Sequence, residues 1–367
     1  MFDLFDSRGF LPPDDPLVKF PSGSPYELLD TVGQDLPSLL LENDCREYLS
    51  SLKIPVWPKE RTSEVDIPAL RLYYVRLGFI VSGYVNQTAQ GVVNQVPQNL
   101  AIPFVQACEL LKRPPILSYD GYALYNWKRF DKSKPIALGN IDTIQNFVHL
   151  YDEHWFILIH VEIEALAAEM LESILLLHNC GQYPNRTEVD DCLFAIKDSL
   201  DKQTLSLKRI PEKMSPELYF KDFRPYIRFF EDVTYEGVSQ EKVSHRGETG
   251  AQSSIMPTLV ALLKIPHTPT ALTNFLHDMR RYMPHSHRGF IQMAEQMPAI
   301  KQMATPELFD AVLESMAKFR EIHYGWATQY IDDKVSDPRG TGGTPYMRWL
   351  KQLIDETRAH KFSNASV

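Results

Sequence analysis

Apolar residues three or four apart recur along almost the whole chain, and that spacing limits what it can fold into more than any other feature. Windows at 26–41, 67–85, 102–111, 144–151, 155–178, 189–205, 216–230, 253–263, 270–283, 306–332 and 347–361 carry it. Such spacing puts the apolar side chains on one face of a helix. Clusters of proline and glycine punctuate between windows, at Pro12-Pro13, Pro114-Pro115, Gly181 to Pro184 and Gly237 to Gly250. No set of alternating strands emerges. The expected fold class is mainly α.

A chain of 367 residues with 44% hydrophobic content can bury one large core or two smaller ones. A polar connection, Asp131-Lys132-Ser133-Lys134-Pro135 to Gly139-Asn140, sets the N-terminal third apart. A boundary near residue 145 is therefore expected, between a smaller helical domain (1–145) and a larger one (146–367). The most apolar window, 155–178, contains Glu162, Glu164, Glu169 and Glu172, which suit a buried helix of a soluble protein and not a membrane span. A formal charge of −9 argues against nucleic acid and anionic membrane as partners. Cys45, Cys108, Cys180 and Cys192 show no CxxC spacing, so neither a zinc knuckle nor a disulfide scaffold is expected. With no secretory pattern in Met1 to Asp6, a monomer in a reducing cytoplasm is the expectation.

Five segments carry residues suited to chemistry. In Arg280-Arg281-Tyr282-Met283-Pro284-His285-Ser286-His287-Arg288, a His-x-His pair offers half of a zinc site or one axial imidazole for a haem. In Leu218-Tyr219-Phe220-Lys221-Asp222-Phe223-Arg224, helical spacing gathers aromatic rings beside a guanidinium. Such a group can pack an aromatic ring and bind a carboxylate, or serve as core with a surface ion pair. In the window from Trp155 to Glu164, Phe156 and His160 are four apart and share a face. Gly247-Glu248-Thr249-Gly250-Ala251-Gln252-Ser253-Ser254 permits close backbone approach and offers two serines as helix caps. Gly340-Thr341-Gly342-Gly343-Thr344 lacks the lysine of a phosphate-binding loop.

Taken in order along the chain, these segments resemble the indoleamine 2,3-dioxygenase family, from Gly9-Phe10-Leu11-Pro12 to Thr344 and the helix beyond. The resemblance implies a helical, two-domain haem enzyme with haem b enclosed between the domains. Its implied reaction inserts O2 across the indole C2–C3 bond of L-tryptophan or a close indoleamine, giving N-formylkynurenine, with an electron donor reducing the ferric iron beforehand. It further implies His287 as the axial ligand, Arg224 and Thr341 as anchors of the amino-acid end, and Phe156, Tyr219, Phe220 and Gly250 along the substrate. Arg113-Pro114-Pro115 to Trp127 corresponds to the wall of the indole pocket, which gives Tyr119, Tyr122 and Ala123. Tyr122 stands where mammalian members carry a smaller residue, so a reshaped pocket is expected. His160 stands where type-1 vertebrate members have serine, and its role is to hydrogen-bond the indole N–H, or bound oxygen through water, or else to transfer the indole proton. Glu248, where glycine is common, would be unfavourable beside a haem propionate unless it points to solvent. Two other functions stay open: a different indole substrate or oxygenation outcome, and a non-catalytic haem or gas-binding protein.

Overall fold

A computed structural model describes residues 8–60, 63, 66–269, 271–334 and 346–363. Among these residues helices dominate. In the first part of the chain lie α1 (Glu27–Leu39), α2 (Cys45–Ser51), α3 (Ile67–Asn86) and α4 (Gln98–Leu110). They are followed by α5 (Tyr151–Leu166), α6 (Ala168–Asn179), α7 (Arg186–Leu207), the single turn α8 (Pro216–Leu218) and α9 (Ile255–Leu263). The last four are α10 (Ala271–Arg280), α11 (His285–Gln296), α12 (Pro306–Tyr330) and α13 (Tyr346–Ala359). The fold is mainly α, as expected.

Two buried apolar clusters organise these helices. The first surrounds α3, whose side chains from Leu70 to Val85 are buried on nearly every side, so this helix is apolar all round and central. The second lies among α5, α6, α7, α9, α11 and α12, with α12 packed along both α7 and α13. One cut at residue 145 does not separate the two clusters. Phe230, Val233 and Tyr235 join the first, and Phe10 joins the second.

Four local expectations change. Residues 144–151 do not form a helix, because their amides are claimed by side chains: Asn126 Oδ1 accepts from Ile144 and Gln145, and the Glu153 carboxylate from Phe147 and Val148. The single helix expected over 155–178 starts earlier, at Tyr151, and breaks at Ala167 into α5 and α6. In 216–230 the helix gives way to a π-helical turn, Tyr219–Phe223, and a 3-10 turn, Arg224–Ile227. Pro225 has no N–H to continue an α-helix there. Finally, α2 and α11 form outside every window of helical spacing.

Short strands were missed too. β1 (Gln95–Val96) pairs in parallel with β4 (Phe230–Tyr235), β4 pairs antiparallel with β5 (Ser239–His245), and β2 (Trp127–Arg129) pairs with β3 (Ile141–Thr143). Register shifts along β4 break its alternation, and β5 is mostly exposed, so neither displays the period of two that betrays a strand. No described helix is long and apolar enough to cross a membrane.

Candidate active site

Between α5, the 247–253 loop, α9, α10, α12 and α13 lies a cavity of about 850 Å³. That volume is toward the top of the roughly 300–1,000 Å³ usual for a cofactor or small-molecule site. One wall consists of Tyr119, Phe156, His160 and Tyr219, with Glu248 to Ala251 beside them. The wall contributed by α12 presents Phe319, Arg320, His323 and Trp326.

The α5 wall is densely hydrogen-bonded. Its residues Glu153, Phe156, His160 and Glu164 fall three or four apart and so share a helical face. His160 Nδ1 lies 2.7 Å from the Phe156 carbonyl oxygen. A carbonyl only accepts, so Nδ1 carries the proton, and burial lowers the ring's pKa so that it is neutral near pH 7. Nε2 is then a bare acceptor.

Two tyrosines are tied to carboxyls of the same helix. Tyr119 donates to Glu164 at 2.9 Å, and Tyr122 donates to Glu153 at 3.2 Å. Burial pushes each of these carboxyls up to about 7. Glu248 is raised further, to about 8, also by burial. Glu248 does not point to solvent: its side chain is buried in the cavity wall. Gly247 holds it there. A Cβ on Gly247 would come within 2.4 Å of the Ile227 carbonyl oxygen, and Glu248 N donates to that same oxygen at 3.1 Å.

On α12, Trp326 Nε1 donates to the Leu207 carbonyl and the Tyr330 hydroxyl to the Met214 carbonyl. His323 is deep enough that burial pushes its pKa down to about 4, with a contribution from the nearby His160, yet its ring remains accessible. The two facts agree only if the exposed surface faces the cavity, which His323 lines. Phe319, Trp326 and Tyr330 lie four before, three after and seven after it, so His323 interrupts an apolar helical stripe.

The cavity gathers five expected site residues: Tyr119, Phe156, His160, Tyr219 and Gly250. Tyr122 is not among its lining residues. It is packed behind the wall against Phe79, Phe147 and Phe156, so it supports the pocket and does not project into it. Ala123 is likewise buried outside the lining. Arg224 and Phe220 also stand outside it, with the guanidinium 5.4 Å over the Phe220 ring and hydrogen-bonded to the Tyr219 hydroxyl. Thr341 lies outside the described residues.

His287 is not brought to the cavity. It begins the buried stripe of α11, continued by Phe290, Ile291 and Ala294. Its ring centroid is 4.6 Å from that of Phe10, its Nδ1 is 3.3 Å from Ser254 Oγ, and burial pushes its pKa down to about 3. His285 is exposed while His287 is buried, so the pair does not converge as half of a zinc site. Ser254 occupies the N-cap position of α9 without a side-chain cap bond, and Ser253 donates to Glu164 at 2.7 Å.

Comparison with known proteins settles the lineage. The sequence model of indoleamine 2,3-dioxygenase matches residues 1–360. The chain belongs to the indoleamine 2,3-dioxygenase family. It is 28% identical to indoleamine 2,3-dioxygenase 1 of Rattus norvegicus, covering 97% of this chain and 94% of that protein. It is 28% identical to the indoleamine 2,3-dioxygenase of Saccharomyces cerevisiae (96% and 91% covered) and 25% identical to a 6-hydroxytryptophan 2,3-dioxygenase of Fusarium equiseti (95% and 94%). Members of the indoleamine 2,3-dioxygenase family are haem-dependent, and this chain is an enzyme of that dioxygenase type.

The cavity's residues fit such a cofactor. A haem needs one imidazole facing open space, apolar walls for the ring system and cations for its two propionates. His323 supplies the first, and Met256, Val260 and Leu353 contribute to the second. Arg320, three residues before His323, is a buried guanidinium whose pKa burial lowers to about 10. It donates to the Leu353 carbonyl and to Thr357. Lys264 and Arg280 also line the cavity, the latter paired with Glu295 at 2.6 Å. Among the described residues no cluster of three or more His, Cys, Asp or Glu side chains forms an alternative metal site.

Proposed function

We propose that this chain is a haem b dioxygenase that adds both atoms of O2 across the indole C2–C3 bond of L-tryptophan, giving N-formylkynurenine. The observation that carries the reading is the placement of His323, a deep yet accessible imidazole facing His160 within one cavity of an indoleamine 2,3-dioxygenase family member. The iron-ligand role expected for His287 would pass to His323, because His323 lines the cavity and His287 does not. His323 would hold the haem iron, which would supply the activation of dioxygen.

The protein's own residues position the substrate. His160 Nε2, a neutral acceptor, receives the indole N–H, which orients the C2–C3 edge toward the α12 side. Burial lowers the pKa of His160 and so makes it a weaker base, which suits positioning better than proton removal. Phe156, Tyr119 and Tyr219 enclose the ring. Arg224 takes the α-carboxylate, releasing its bond to the Tyr219 hydroxyl, and Thr341 contributes to the same anchor. Arg320 would hold the propionates, with Lys264 as a further cation on the lining.

A second reading, a hydroxylated indole as substrate, is favoured by Glu248 and the Tyr219 hydroxyl in the cavity wall and by the 6-hydroxytryptophan dioxygenase among the relatives. Both readings are tested together. Haem-reconstituted protein is given isotopically labelled O2, a reductant, and either L-tryptophan or 6-hydroxytryptophan. A formylkynurenine product carrying two labelled oxygens from tryptophan is expected. Labelled product from the hydroxylated indole alone would transfer the function to the second reading, and none from either would overturn both.

A further inference from the structure

We propose that Glu164 is a positioning residue for the reaction: one carboxyl oxygen on α5 fixes Tyr119 and the 247–253 loop relative to His160. It rests on the dioxygenase reading only for the identity of the substrate.

Glu164 Oε1 accepts two hydroxyls, from Tyr119 at 2.9 Å and from Ser253 at 2.7 Å. These residues lie far apart in the chain, and both line the cavity. A second tie runs parallel to the first. Tyr119 N donates to Gln252 Oε1 at 3.0 Å, and Gln252 Nε2 donates to the Gly247 carbonyl at 3.0 Å. The loop bearing Glu248, Thr249, Gly250 and Ala251 is thus fastened to Tyr119 at one point by Gln252 and to α5 at another by Glu164.

Geometry makes the second fastening consequential. Glu164 follows His160 by one helical turn, and the Tyr119 and His160 rings meet edge to face with centroids 5.8 Å apart. Turning Tyr119 about its side-chain bonds would move its ring relative to the imidazole that receives the indole N–H. Glu164 is fully buried, and its Oε2 has no hydrogen-bond partner among the described residues. A buried polar atom left in that state costs stability, which an apolar side chain of similar size would avoid. The gain lies in where the two hydroxyls are held.

The test compares Glu164→Gln with Glu164→Leu in haem-loaded protein. Gln retains a carbonyl oxygen that can accept both hydroxyls, so kcat/KM for L-tryptophan is expected within about threefold of wild type. Leu is expected to lower kcat/KM by about tenfold or more, chiefly through KM, and to weaken discrimination between tryptophan and its ring-substituted analogues. Amide exchange in 247–253 should quicken in Glu164→Leu and not in Glu164→Gln. Adding Tyr119→Phe to Glu164→Leu should cost little more, because the shared bond is already gone. Should Glu164→Leu fail to fold, Tyr119→Phe with Ser253→Ala removes the same two bonds and carries the same expectations.

Equal losses in the Gln and Leu variants, or unchanged exchange in 247–253 after removal of both bonds, would overturn the positioning role. Failure of wild-type protein to form N-formylkynurenine would count against the dioxygenase reading instead, since the exchange measurement judges Glu164 without turnover.

Discussion

His287 and His323 occupy comparable places on two amphipathic helices, each in line with an apolar stripe, yet only His323 faces open space. Around His287, Phe10 and Ser254 fill the room beside the ring. Around His323, the opposing wall across the cavity is made by α5, and nothing on α12 closes the gap. An imidazole enclosed by packed side chains is a core residue. One whose ring nitrogen opens onto a cavity can be a ligand.

Exchanging the two roles would break this comparison most directly. His323→Ala is expected to abolish the histidine-ligated haem spectrum and with it all detectable dioxygenase activity. His287→Ala should keep both. The opposite pair of spectra would return the axial position to α11.

A smaller effect is expected at Arg224, which stands outside the cavity lining and bonds the Tyr219 hydroxyl. Arg224→Ala should lower kcat/KM for tryptophan by roughly ten- to over a hundredfold, the scale of a charge-assisted hydrogen bond. Tryptamine, which has no carboxylate, should be nearly indifferent to the change. Equal losses for the two amines would make Arg224 a support for Tyr219 and nothing more.

Across the cavity, His160→Ser should retain the dioxygenase product with a rate reduced by roughly tenfold to a hundredfold, the scale of one positioning hydrogen bond. If the variant bound haem, O2 and tryptophan normally yet formed no product, His160 would have to be a proton-transfer group.

The least effect on activity is expected from His287, where the consequence is stability. His287→Ala should cost about 1–3 kcal/mol in denaturant unfolding near neutral pH, from lost packing and a lost hydrogen bond. Its ring is buried with a pKa lowered from 6.5 to about 3. Above pH 6.5 it is neutral in both the folded and unfolded states, and its full contribution is present. As pH falls from 6.5 toward about 3 the unfolded chain takes up the proton first, so stability is lost, by up to about 1.4 kcal/mol per pH unit. The alanine variant should show a shallower decline over that window. Identical slopes would mean that His287 is not buried as a neutral ring.

The comparison also explains what could be read in advance. Phe156 and His160 were legible because their spacing of four on an apolar window puts both on one face, whichever way that face turns. His323 was not singled out, although Arg320, His323 and Trp326 recur at helical spacing, because a lone histidine in a stripe looks the same whether its neighbours fill the gap or leave it. The His-x-His pair drew attention to α11 for a similar reason. Only the helix that those residues begin shows that His285 and His287 face different ways. Glu248 looked misplaced among glycines, and the close packing of Gly247 on Ile227 is what buries it.

By itself the sequence determined the helical class, through a period that any helix must satisfy, and the reaction type, through several separate segments in family order. It also placed an acceptor histidine on α5. The tertiary structure alone decided which of two helix-borne imidazoles faces the cavity, that Tyr122 stands behind the wall and not in it, and that Glu164 joins Tyr119 to Ser253. Periodicity is a property of one helix and can be read along a chain. An open face is a property of the space between helices, set by residues from distant segments that no local pattern brings together.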